Sequence, residues 1–239
     1  MHPRRTLTSF SLLMSALLAA PAVYAQAPTP QLAAVLAQMD TASKTFQNAT
    51  AIFEWDFYEK IVHDTTKQKG SMFLERGKSG TEFGATVYDL SGGPAGNTPS
   101  KVISYGAGSL RVYTPAEKQV DAFKAGANQS TEEGYLSIGF GGSGHDLAAA
   151  WDIKDGGPEM IAGVKTERLL LVSKDPNVRH NFSQVTLWID PSRDVSLKQI
   201  FDLPGGDQRT TFFSDIRLNG KINKEPFKIP SKGVQVMQH

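Results

Sequence analysis

The residues able to do chemistry are few and thinly spread. Gly139-Phe140-Gly141-Gly142-Ser143-Gly144 matches the letters of the dinucleotide-binding pattern G-x-G-x-x-G. That pattern holds a pyrophosphate only when a strand leads into it within a βαβ unit and an acidic residue follows for the ribose. That context is missing, and a glycine-rich hinge or lid loop is the better reading. Ser143 comes near the nucleophile pattern G-x-S-x-G, but His145 stands where the last glycine belongs. The five histidines, His2, His63, His145, His180 and His239, show neither H-E-x-x-H nor H-x-H spacing, and the chain has no cysteine. Disulfides, thiol chemistry and cysteine metal sites are thereby excluded. Glu54 and Asp56 sit two residues apart on one strand face, where two carboxylates could act as acid and base in a glycosidase cleft. Solvated strand faces carry such pairs routinely. Nothing in the chain reads as an active site, so neither enzymatic activity nor a cofactor is expected.

The elements that must position these residues are mostly strands. A helix opens the domain: Thr29 caps it, Pro30 takes its first position, and Leu32, Val35, Leu36 and Met39 recur at helical spacing. From Ala51 the period becomes two, with Ala51, Phe53, Trp55 and Phe57 on one face. After a polar turn over 64–69, strands are predicted over 71–76, 81–89, 101–105, 109–113 and 119–123. Residues 124–144 are Gly-rich and polar, with Leu136, Ile138 and Phe140 embedded, and a short helix follows from Ser143 as cap through Ala150. Strands return over 164–172, 183–190, 195–203 and 209–218, and Pro230 interrupts a loosely alternating tail. The pattern predicts a mainly β (α+β) fold, one large curved antiparallel sheet with helices on one side.

The N-terminus reads as a secretory leader over 1–25. Arg4 and Arg5 precede an apolar run, and Val23-Tyr24-Ala25 forms the cleavage site. Residues 26–239 form one domain, with no internal repeat. The chain has 25 basic and 24 acidic residues; loss of two arginines with the leader leaves a net charge of −1, which gives no electrostatic case for nucleic acid. The mature chain is expected to be periplasmic, soluble and monomeric. An open sheet of this size curls, and its strands carry Phe53, Trp55, Phe57, Phe73, Phe83, Trp188, Phe212 and Phe213. An ordinary core and a lidded apolar pocket for a greasy ligand both fit this load.

Three stretches bear on that choice. Gly70-Ser71-Met72-Phe73-Leu74-Glu75-Arg76 is one, and Tyr105-Gly106-Ala107-Gly108-Ser109-Leu110-Arg111-Val112-Tyr113-Thr114-Pro115 running on to Gln119-Val120 is the second. The third is Asp207-Gln208-Arg209, then Asn219, Ile222 and Pro226-Phe227-Lys228-Ile229-Pro230-Ser231-Lys232-Gly233-Val234-Gln235-Val236. In order and spacing they resemble the outer-membrane lipoprotein carrier family, LolA. The resemblance implies a half-open β-barrel with a helical lid. Its cavity takes lipoprotein acyl chains or other lipid from an inner-membrane release complex and passes them to an outer-membrane acceptor, without a cofactor. On that reading the strand aromatics Phe53, Trp55, Phe57, Phe73 and Phe83 are expected to line the cavity. Leu136, Ile138, Phe140 and Leu147 would cover it, with Gly139, Gly141 and Gly142 as hinges. Arg76 falls where the family has an arginine that hydrogen-bonds the lid and governs its opening. The acceptor of that family is itself a lipoprotein, so the missing cysteine places this chain with the soluble carrier. Two other readings stand beside it: a periplasmic lipid- or lipoprotein-binding sensor of the same fold, and a secreted hydrolase using Glu54 and Asp56.

Overall fold

The computed structural model describes residues 29–77, 80–90, 96, 98–124 and 137–239. The expected leader and Leu136 lie outside the described residues. Helix α1 (Pro30–Ser43) begins as its sequence predicts, with the Thr29 hydroxyl accepting from the Leu32 amide at 3.2 Å and Pro30 in the first turn. Its buried stripe is Leu32, Val35 and Met39.

Twelve strands then form one sheet. They are β1 (Asn48–Glu59), β2 (Asp64–Gly77), β3 (Gly80–Asp89), β4 (Lys101–Gly106), β5 (Ser109–Thr114), β6 (Gln119–Lys124), β7 (Trp151–Ile161), β8 (Val164–Ser173), β9 (Gln184–Asp190), β10 (Val195–Asp202), β11 (Gln208–Leu218) and β12 (Gln235–Gln238). Their order is β12-β6-β5-β4-β3-β2-β1-β11-β10-β9-β8-β7. Neighbours run antiparallel except β12, which lies parallel to β6. Among the described residues the sheet ends at β12 and β7, which do not pair with each other, so the barrel does not close. This is the single large antiparallel sheet that the period-two segments predicted.

Three details differ from the expectation. Residues 64–69 are not a turn but the first half of β2, paired with β1 throughout, because Thr65 and Thr66 suit an extended backbone. The strand β7 was not predicted, since Gly156-Gly157-Pro158 reads as a break. The structure places these residues at a bulge on an edge strand, where a missing ladder N–H is tolerated. The tail also adds a strand, β12.

Helix α2 (Gly144–Ala150) starts with the Ser143 hydroxyl accepting from the Asp146 amide at 3.0 Å. A short helix α3 (Pro176–Arg179) links β8 to β9. The core has two parts. Leu32, Val35 and Met39 of α1 pack with Trp151, Leu169, Leu171, Val185, Leu187 and Ile189 over the β7–β9 half of the sheet. Phe46, Ala51, Phe53, Met72, Leu74, Ala85, Val87, Phe140 and Val195 form the other part, over β1–β3 and β10.

Candidate binding cavity

The register decides which side chains share a face. Across β1 and β11, Phe53 pairs with Phe213, Trp55 with Thr211 and Phe57 with Arg209. Across β1 and β2, Ala51 pairs with Met72, and Met72 pairs with Ala85 on β3. These residues therefore look the same way, toward a hollow of about 340 Å³. Phe83 and Ile103 line it from β3 and β4, Leu110 and Val112 from β5, and Gln199 and Phe201 from β10. Seven adjacent strands, from β5 round to β10, contribute to one cavity. Six strand spacings of about 4.8 Å would put β5 and β10 roughly 29 Å apart in a flat sheet. Side chains from both lining one hollow of this size means that the sheet curls strongly here.

The cover comes from residues 137–143. Ile138 and Phe140 point into the hollow, and Phe140 stands edge-on to Phe213 with ring centroids 4.9 Å apart. This segment is stitched to the start of β10: the Gly141 amide donates to the Asp194 carbonyl at 2.9 Å and the Ser196 amide to the Gly139 carbonyl at 2.6 Å. The Gln199 side-chain amide donates to the Ile138 carbonyl at 2.8 Å. Two of the three glycines read as hinges meet a packing need. Gly139 and Gly141 have φ of +81° and +70°, and a Cβ on Gly141 would come within 2.3 Å of the Phe46 ring.

Arg76 ties this cover to the helix. Its guanidinium donates to the Ser43 carbonyl at 2.8 Å, to the Phe46 carbonyl at 3.4 Å and to the Gly141 carbonyl. The first of these groups ends α1, which has no basic residue in its own last turn, so Arg76 supplies the cation that a helix C-terminus favours. Near it lies Asp194, fully buried, in the left-handed region at φ 54°. Neither carboxylate oxygen of Asp194 has a hydrogen-bond partner. Burial pushes its pKa up to about 8; the Arg76 charge pulls it down and the Asp40 charge adds to the rise.

Of the residues predicted for the site, Phe53, Trp55, Phe83 and Phe140 line the cavity. Phe57 is next in the same row, beneath Arg209. Phe73 faces the other side of the sheet, where it meets Phe227 at a centroid distance of 5.0 Å; strand alternation puts it there, one residue out of phase with Met72 and Leu74. Leu147 and Arg76 border a second, more polar hollow of about 530 Å³ between α1, α2 and the 137–143 segment. Its rim is largely serine, glycine and charged side chains, so the apolar cavity is the better candidate. Glu54 also faces the opposite side, paired with Phe212 and Lys69, and Asp56 there binds Lys67 at 3.2 Å. Among the described residues, no cluster of His, Asp or Glu could hold a metal ion.

Sequence reasoning did not single out Phe201, Thr211 or Arg209 as lining residues. The alternation Arg209-Thr211-Phe213 was present, but only the pairing with Phe57, Trp55 and Phe53 shows which way it faces.

No family model matches the chain, and no curated protein matches it in sequence. Solved structures do resemble it. An uncharacterized conserved protein from Thermus thermophilus superposes with a TM-score of 0.52 at 12% identity, over 87% of this chain and 99% of that one. Looser likenesses are the lipoprotein LppX of Mycobacterium tuberculosis (TM-score 0.46, 12% identity, 81% of this chain and 98% of that one) and LprF from Mycobacterium bovis (0.45, 11%, 83% and 97%). At such identity the likeness is one of fold.

Proposed function

We propose that this protein is a periplasmic carrier that holds the acyl chains of lipoproteins, or of another lipid, in the cavity beneath Ile138 and Phe140. In this reading it collects them at the inner membrane and delivers them to an acceptor at the outer membrane. The observation that carries the reading is the cavity itself: seven strands curl round one apolar hollow and leave it unfilled by their own large side chains. Burial of an acyl chain there is worth about 0.8 kcal/mol for each CH₂. The three stretches that resemble the LolA family support the same reading, as does the leader expected over 1–25.

Filling the cavity tests this. Ala85 and Val112 both line it, and Ala85→Trp or Val112→Trp would occupy the space of a ligand chain. The wild-type protein should take up a polarity-sensitive apolar dye that long-chain lipids displace, and both variants should lose that uptake while remaining folded by circular dichroism. Equal dye uptake by folded variants would contradict the reading.

A further inference from the structure

The cavity lining is apolar apart from Gln199, Thr211 and Arg209. Among the described residues Arg209 is its one charged lining residue. It is the second residue of β11, beside the turns that join β1 to β2 and β10 to β11. Its guanidinium carbon lies 4.7 Å from the Trp55 ring centroid and 5.7 Å from that of Phe57. No described carboxylate forms an ion pair with it, and no described acceptor takes a hydrogen bond from it. Burial lowers its pKa with no neighbouring charge to offset the effect. The Trp55 indole N–H is likewise buried without an acceptor. Two donors, one of them a cation, thus line the same hollow unanswered. A desolvated cation without a counter-ion is costly, and a planar guanidinium suits a carboxylate or phosphate. The hollow has room for more than that anion. At about 30 Å³ for each water-sized group, it holds roughly eleven such groups, the bulk of one ten-carbon chain.

We propose that the ligand is a single-chain anionic amphiphile, with its chain against Phe53, Phe83 and Phe213 and its carboxylate or phosphate head on Arg209 and the Trp55 indole N–H. The proposal rests on the acyl-chain reading above in its second form, a lipid other than a lipoprotein, and adds the charge of the head and its place.

Four ten-carbon ligands separate the two claims: decanoate, decyl phosphate, decanol and decyltrimethylammonium, each below its micelle concentration. They are titrated, with inorganic phosphate alone, into the full chain and into Arg209→Gln and Arg209→Lys. The two anions should bind about tenfold or more tightly than decanol, and the cation more weakly. In Arg209→Gln that advantage should vanish with decanol affinity unchanged, and in Arg209→Lys part of it should remain. Equal binding of all four ligands overturns the head assignment while leaving the acyl-chain reading intact. Loss of decanol binding along with the anions in Arg209→Gln makes Arg209 a packing residue and also overturns it. Inorganic phosphate binding as tightly as decyl phosphate replaces the amphiphile with a bare anion site. No binding of any ten-carbon ligand overturns both claims.

Discussion

Arg76, an exposed cation, and Asp194, a buried carboxyl, are handled differently by the fold. The Arg76 guanidinium satisfies carbonyls at Ser43, Phe46 and Gly141, so it joins α1, the approach to β1 and the cavity's cover. Arg76→Leu removes these donors and leaves part-buried carbonyls unanswered, at about 1–3 kcal/mol for each. Urea unfolding should show a loss of about 3 kcal/mol, and the rate of ligand release should change. An unchanged release rate would remove Arg76 from any role in opening. Asp194 has no such partners. Its carboxyl keeps its proton in the folded state up to about pH 8, whereas an unfolded aspartate releases it near its ordinary value of about 3.9. The folded state therefore binds the extra proton between these values, and its stability falls as pH rises through that window. Each unit of separation is worth about 1.4 kcal/mol. Asp194→Asn keeps the shape and tolerates the left-handed backbone. Its stability should exceed the wild type's by more at about pH 8.5 than at about pH 5. Parallel pH curves for the two proteins would contradict the assignment.

At the level of elements, the chain after β11 is a strap on the face opposite the cavity. Phe227 packs on Phe73 over Gly84, where a Cβ would come within 2.3 Å of the Phe73 ring and 2.9 Å of the Phe227 Cβ. Lys224 binds Glu75 at 2.5 Å and Glu82 at 2.6 Å, hydrogen bonds that raise its pKa. The strap starts at Asn219, at φ 55°, whose side chain accepts from the Gln47 amide at 2.8 Å and donates to the Thr45 carbonyl at 2.9 Å. Asn219→Ala should cost about 2 kcal/mol in chemical unfolding, from the lost side-chain hydrogen bonds and a strained backbone. Asn219→Gly, which relieves the strain, should cost less; the reverse order would show that the backbone is not strained there. The strands with clear alternation, such as β1 and β11, were legible in the sequence, as were the capped helices α1 and α2. β7 was not, because an edge strand accommodates Gly156-Gly157-Pro158 in a way that local propensity does not foresee. The parallel pairing of β12 depends on where the strap arrives, which no local pattern encodes.

For the whole molecule, the two halves of the sheet do different work. Over β7–β9 the apolar face is filled by α1 and its neighbours; over β1–β5 and β10–β11 a second core cluster packs beneath residues 137–143 and leaves a cavity beside it. The sequence shows that the strands carry a heavy aromatic load, and this made either a core or a pocket possible. The division between them follows from where α1 lies, and the inward turn of Arg209 from its register with Phe57. The most direct test is native mass spectrometry of the protein isolated from cells under gentle conditions. A single acylated species should be bound to the wild type and missing from folded Ala85→Trp. A ligand-free wild type, or an adduct kept equally by the filled variant, would contradict the account.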